Sequence, residues 1–181
     1  MAMKEHLPGQ LADVRGPLRP YARLLLALDT AAGWTIVGLI SIMVAVVALQ
    51  VFLRYVTNSS LGWADELSRL TFVWTIFLAI PLGIRAGVHI GMELLTSRLS
   101  ARVQGFLARI MAAIAATLMV LIAWQSIVVA VDQWDEKMAS IEASAAWFIV
   151  AVAIGCGHAA LHLVLIVLHG KPAGHVSLAT E

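Results

Sequence analysis

Four long runs without Asp, Glu, Lys or Arg leave this chain few ways to fold. They are Thr30 to Leu53, Leu70 to Ile84, Ile110 to Val131 and Ala143 to Gly170. The first, third and fourth exceed the roughly 20 residues needed to cross a hydrocarbon core about 30 Å thick. The second holds fifteen residues and reaches that length with its charged ends, where the stems of Arg69 and Arg85 can snorkel to water. In lipid each backbone polar group must be satisfied within its own segment, so the runs predict helices. The expected fold class is an all-α membrane protein with four transmembrane helices. Charged residues make up 13% of the chain, about half the share of a soluble domain, and 181 residues leave no room for a large soluble domain beside four spans.

The spans are expected at about 30–53, 63–87, 106–131 and 143–168, with tails at 1–29 and 171–181. The first apolar run begins near Tyr21 and continues to span length without a small-residue cleavage site, so the first span is expected to stay in the membrane. Between Pro20 and Asp29, Tyr21, Leu24, Leu25 and Leu28 recur at helical spacing, with Arg19 and Arg23 on another side. Two readings fit: a short helix lying in the interface, with Pro20 in its first turn, or a plain extension of the first span. The segment Ser97 to Arg109 is amphipathic in the same way, with Leu95, Leu99, Val103 and Phe106 on one side and Arg98 and Arg102 on another. It reads as a surface helix near anionic headgroups.

Orientation follows from lysine and arginine. Nine of them (Lys4, Arg15, Arg19, Arg23, Arg85, Arg98, Arg102, Arg109 and Lys171) fall on one side of the four spans, and three (Arg54, Arg69 and Lys137) on the other. Both termini and the middle loop are therefore expected in the cytoplasm. Trp34, Trp63, Trp134 and Trp147 fall near span ends, as an interfacial aromatic belt would, while Trp74 and Trp124 sit deeper and are expected to pack. A net charge of +1 makes nucleic acid an unsuitable partner, and the single Cys156 excludes an internal disulfide.

Small residues and polar pairs mark where membrane helices touch. Gly83, Gly87 and Gly91 form a doubled GxxxG, and Ala108, Ala112 and Ala116 repeat the spacing on the third span. Pro81 leaves the carbonyl of Phe77 without its helical donor, which predicts a kink. Asp65 and Glu66 precede Arg69 by four and three residues and can pair with it on one helix face. Arg54 is a second candidate partner across the short loop. Ionisable groups at membrane depth are functional candidates, but these lie near the interface, which favours a structural clamp or a subunit contact over an ion path.

His158 and His162 stand four apart in the fourth span, and His89 ends the second. Such histidines could ligate haem if a partner faced them. No thiolate or carboxylate accompanies them along the helix to complete a metal site. No phosphate loop or nucleophile–base pattern suggests an enzyme, and no cofactor is implied.

The ordered set Arg54-Tyr55, the loop Asn58-Ser59-Ser60, Trp63, Asp65-Glu66, Arg69, Phe72, Trp74, Phe77, Arg85 and His89-Ile90 resembles the small membrane subunit of tripartite ATP-independent periplasmic (TRAP) transporters, the DctQ-like family. The likeness covers residues 50–92. It implies a bacterial inner-membrane scaffold without catalytic residues, paired with a large multi-span subunit that carries the substrate and sodium sites and moves as an elevator. It also implies a periplasmic binding protein that delivers an organic acid, such as a C4-dicarboxylate or sialic acid. On this reading Arg54, Trp63, Asp65, Glu66, Arg69 and Trp74 hold the outer half of the bundle or its contact with the large subunit. Arg85 and His89 sit at the cytoplasmic edge, against lipid headgroups or the partner's loops. The chain departs from the family pattern in having Asp-Glu where two glutamates are common. Its fourth span carries His158 and His162 and lacks a central proline. The alternative from another class is a b-type cytochrome subunit using His89 with His158 or His162.

Overall fold

A computed structural model describes residues 19–59, 61–86 and 101–169. Four helices make up the fold: α1 (Arg19–Val56), α2 (Gly62–Arg85), α3 (Ala101–Asp132) and α4 (Ala146–His169). All four are long and apolar enough to cross a membrane. The all-α, four-span expectation therefore matches the structure.

The helices lie in the order α1, α2, α4, α3, each packed on the next. Successive helices run in opposite directions, so the start of α1 shares one end of the bundle with the ends of α2 and α4. Beside packing on α2, α1 touches α4 at that end, and α4 is the central element. Half of the most apolar stretch of α4 is buried, against none of that of α1. The outer faces of α1 and α3 are thus left to lipid or to a partner.

Residues 20–29 form the first turns of α1, without a break before the span. The segment is thus one continuous helix with the first span. With 38 residues, α1 is about 57 Å long at 1.5 Å per residue, well beyond the thickness of a hydrocarbon core. The extra turns have packing partners: Ala22 and Leu25 are buried with Leu165 of α4, and Tyr21, Leu26 and Leu161 surround them. The Tyr21 hydroxyl donates to the carbonyl of Leu161 at 2.7 Å.

Several hydroxyls within the spans are satisfied locally, as an apolar medium favours. Thr30, Thr35, Ser41 and Thr117 each donate to the carbonyl four residues back, at 2.8–2.9 Å. The loop after α1 turns at Asn58, whose φ of 51° is one that asparagine tolerates better than most residues. α2 carries Asp65 in its first turn and Arg85 in its last, both of favourable sign for the helix dipole. It continues through Pro81. Ala64, Thr71, Leu78 and Pro81 form its buried stripe.

On α3, which packs chiefly on α4, the expected small-residue seam is present at Ala112 and Ala116, both buried. On α2, Gly83 has nothing within 4 Å of the position a side chain would take. Gly87 and Gly91 lie outside the described residues, as do Ser60, His89, Arg98 and both tails. Trp124 departs from expectation: it is 68% exposed on α3.

Candidate functional site

The most unusual chemistry of the molecule lies where α1, α2 and α4 converge. Asp29, on α1, is buried, with no side-chain exposure. An isolated carboxylate in an apolar interior is costly, so its partners decide whether the helices can meet there. Arg85, from the last turn of α2, places Nη1 2.9 Å from Oδ2. From α4, His162 places Nε2 2.8 Å from Oδ1, and His158 places Nε2 3.1 Å from the same oxygen. One carboxylate thus gathers side chains from two other helices.

The two histidines are not equivalent. His162 lies on a hydrogen-bonding line to Oδ1. The Nε2 of His158 is off that line and is buried without a hydrogen-bond partner, despite its 3.1 Å separation from the carboxylate. The four-residue spacing sets the imidazoles side by side, with ring centroids 5.1 Å apart. A ligand atom from each of Asp29, His158 and His162 falls within 4.8 Å of the others. These are the residue types that hold transition metals. His89, which the haem alternative pairs with them, lies outside the described residues; both Nε2 atoms turn to one carboxylate oxygen of α1.

The opposite end of the bundle has its own polar links. Glu66, in the first turns of α2, accepts from the backbone N–H groups of Ala139 and Ser140, at 2.8 and 2.7 Å. Both belong to the loop joining α3 to α4. That loop is a narrow hairpin, in which Met138 N–H donates to the Ala143 carbonyl at 2.9 Å and Ala145 N–H to that of Glu136 at 2.7 Å. Asp65 accepts from Gln50 Nε2 of α1 at 2.9 Å. Trp74 donates its indole N–H to the Trp147 carbonyl at 3.1 Å. The rings of Trp74, Trp147 and Trp134 follow one another at 6.2–6.3 Å.

The structure therefore places the sequence candidates in two groups. Asp65, Glu66 and Trp74 join α2 to the other elements, and Arg85 does so at the far end. Asp65 and Glu66 do not pair with Arg69 but turn to Gln50 and to the loop backbone. Arg54 and Arg69 are exposed and pair with no acid among the described residues. Trp63 is 39% exposed at the start of α2. Arg85 faces inward onto Asp29 rather than out to headgroups.

Sequence reasoning misses Asp29, which stands one residue ahead of the first uncharged run, where an acid reads as the polar flank of a span. The signal that could have found it is the helical extension from Tyr21, which carries the residue inside α1 and off the end of a tail. The carboxylate absent from the neighbourhood of His158 and His162 along α4 is supplied across the bundle by α1.

Four apolar helices, joined at both ends by polar groups turned inward, define a multi-pass membrane protein. Residues 43–170 match the family described as tripartite ATP-independent periplasmic transporters, DctQ component. The chain belongs to that family and is a small membrane subunit of a TRAP transporter. No curated protein matches it.

Proposed function

We propose that this chain is the scaffold subunit of a sodium-coupled TRAP transporter for organic acids in the bacterial inner membrane. It anchors a large elevator-type subunit and helps dock a periplasmic substrate-binding protein. Both termini and the Asp29 end of the bundle face the cytoplasm, in keeping with nine of twelve lysines and arginines on that side of the spans.

The observation that carries the reading is the division of labour between the inside and the outside of the helix layer. Asp29, Glu66, Asp65 and Trp74 are engaged within the chain, joining its own helices. The long face of α1 is apolar and open, with Val37, Ile40, Val44, Val47 and Val51 all more than 40% exposed. Between α1 and α2 this face continues into a cleft of about 560 Å³, lined by Met43, Val44, Val47, Ala48, Ser68, Arg69 and Phe72. A transmembrane helix of the large subunit fits such a cleft, because van der Waals packing and polar contacts drive helix association in lipid. The wall of the cleft is almost wholly apolar, as a lipid-facing helix of a partner requires, and Arg69 lies at its edge.

The test is co-purification. With a tag on this chain and mild detergent, Arg69→Glu is expected to strip the large subunit from the eluate. Retention of the partner at wild-type stoichiometry would overturn the assignment of the α1–α2 cleft. Uptake in proteoliposomes of the wild-type complex, with and without a sodium gradient, decides the coupling ion. A panel of organic acids presented with the binding protein decides the substrate.

A further inference from the structure

We propose that Asp29, His158 and His162 form a binding site for one divalent transition-metal ion of the zinc class, with Arg85 orienting the carboxylate from outside. The site does not depend on which substrate the transporter carries or on where the large subunit docks.

The geometry is close to that of a coordinated ion. Zinc takes imidazole nitrogen at about 2.0–2.1 Å and carboxylate oxygen at about 2.0–2.2 Å, usually in a tetrahedron. Those lengths put neighbouring ligand atoms about 3.3–3.5 Å apart. In the structure the two Nε2 atoms stand 2.8 and 3.1 Å from Oδ1. Opening the two contacts by about 0.5 and 0.3 Å, and bringing the two Nε2 atoms, now within 4.8 Å of each other, to the same spacing, would admit the ion. Histidines four apart on a helix present both rings on one face, a spacing that binds zinc in other helical sites.

A second observation points to a ligand independently of the spacing. The Nε2 of His158 belongs to a residue 8% exposed and has no hydrogen-bond partner. A buried polar atom left unpaired is destabilising, more so with lipid rather than water around the bundle. Oδ1 has a second lone pair, but the His158 nitrogen stands 3.1 Å from it without lying on a hydrogen-bonding line. A metal ion satisfies both imidazoles and Oδ1 together.

Arg85 then has a defined part. Its bond to Oδ2 leaves Oδ1 for the ion and fixes the plane of the carboxylate, as hydrogen-bonding partners of metal ligands commonly do. Two imidazoles and one carboxylate favour zinc, cobalt, nickel or copper over magnesium and calcium, which prefer all-oxygen sites. Three protein ligands leave one position for water or hydroxide. The ion would tie the N-terminal turns of α1 to α4 more firmly than the Asp29–His162 hydrogen bond alone.

The experiment uses the full chain, purified in detergent on a histidine-free tag, stripped with EDTA and titrated with Co²⁺. One ion per chain is expected, with the visible d–d bands of a four- or five-coordinate nitrogen/oxygen site, bleached by Zn²⁺. His158→Gln and His162→Gln should each weaken binding at least tenfold, while His169→Gln should leave it unchanged. Because either cluster variant could lose its fold, the wild type is also melted: Zn²⁺ should raise its Tm and Mg²⁺ should not. Substoichiometric cobalt, d–d bands that survive in the folded variants, or a Tm indifferent to Zn²⁺ would each overturn the proposal. The network would then be a hydrogen-bonded clasp only.

Discussion

Gly155 of α4 lies against the carbonyl of Phe77 on α2, the carbonyl that Pro81 deprives of its helical donor. A methyl group built on Gly155 would overlap the Phe77 oxygen and come within 2.8 Å of its carbon. The approach therefore requires glycine, whose Cα hydrogens can face the free oxygen in a weak C–H···O contact. A proline that opens one helix and a glycine that lets another come close form a single device. It sits at mid-depth, where no water can take the donor's place.

Gly155→Ala should accordingly force α2 and α4 apart. The obstacle is backbone and not the end of a flexible side chain, so the neighbour has little freedom to yield. Overpacking of this kind costs about 1–3 kcal/mol. It should appear as a lower Tm in thermal unfolding of the detergent-solubilised chain. Gly157→Ala, at a glycine with nothing within 4 Å of the added methyl, is the matched control and should leave Tm nearly unchanged. Equal effects at the two positions would refute the close-approach account.

Glu66→Gln tests the link between α2 and the α3–α4 loop. The amide keeps the shape but offers one acceptor oxygen to the two N–H groups that now share a carboxylate. One of them is left to water, and the loss of a charge-assisted bond costs about 1–2 kcal/mol. Hydrogen exchange is the direct readout: the amides of Ala139 and Ser140 should exchange faster than in the wild type. The amide of Met138, bonded to Ala143 within the hairpin, should not. Unchanged protection at Ala139 and Ser140 would show that the loop holds itself.

Trp74→Phe removes the indole N–H while keeping an aromatic ring beside Trp147. Loss of one hydrogen bond predicts about 0.5–1.5 kcal/mol of destabilisation. Trp63→Phe, at a more exposed ring near the helix start, should cost less. The comparison is again by Tm, and a larger effect at Trp63 would contradict the packing of Trp74 on Trp147.

The four spans were legible because lipid imposes a length and a charge rule that any span must obey, and the uncharged runs obey it. The partners of the edge charges were not. Glu66 meets backbone N–H groups of a distant loop, which have no side-chain signature to read. Arg85 reads as a flank residue because its partner lies on another helix, in a register that no periodicity reports. Asp29 stands at the border of an uncharged run, so the same charge rule that locates the span hides the residue. His158 and His162 were visible as a pair, but their chemistry depends on what α1 brings to them. Trp124 escapes the same reading because depth along a span says nothing about which side of the helix faces a neighbour.

The Asp29–Arg85 pair yields the sharpest test of the polar junction, made in EDTA so that no metal contributes. Asp29→Asn leaves the guanidinium beside a neutral amide in a site where Arg85 is 12% exposed and Asp29 not at all. Removing one member of a buried pair costs about 3–5 kcal/mol, reduced here by whatever the further interaction of Arg85 takes up. Arg85→Gln removes the ion-pair partner of the carboxylate in turn, although His162 still donates to it. Combining them removes both charges, and the two introduced amides can hydrogen-bond across the same gap. The double variant should therefore be more stable than Asp29→Asn alone, with a coupling energy above about 1 kcal/mol in a double-mutant cycle. Thermal unfolding of the four proteins measures it. Additive costs would mean that the two residues act separately and that the Asp29–Arg85 pair does not link α1 to α2.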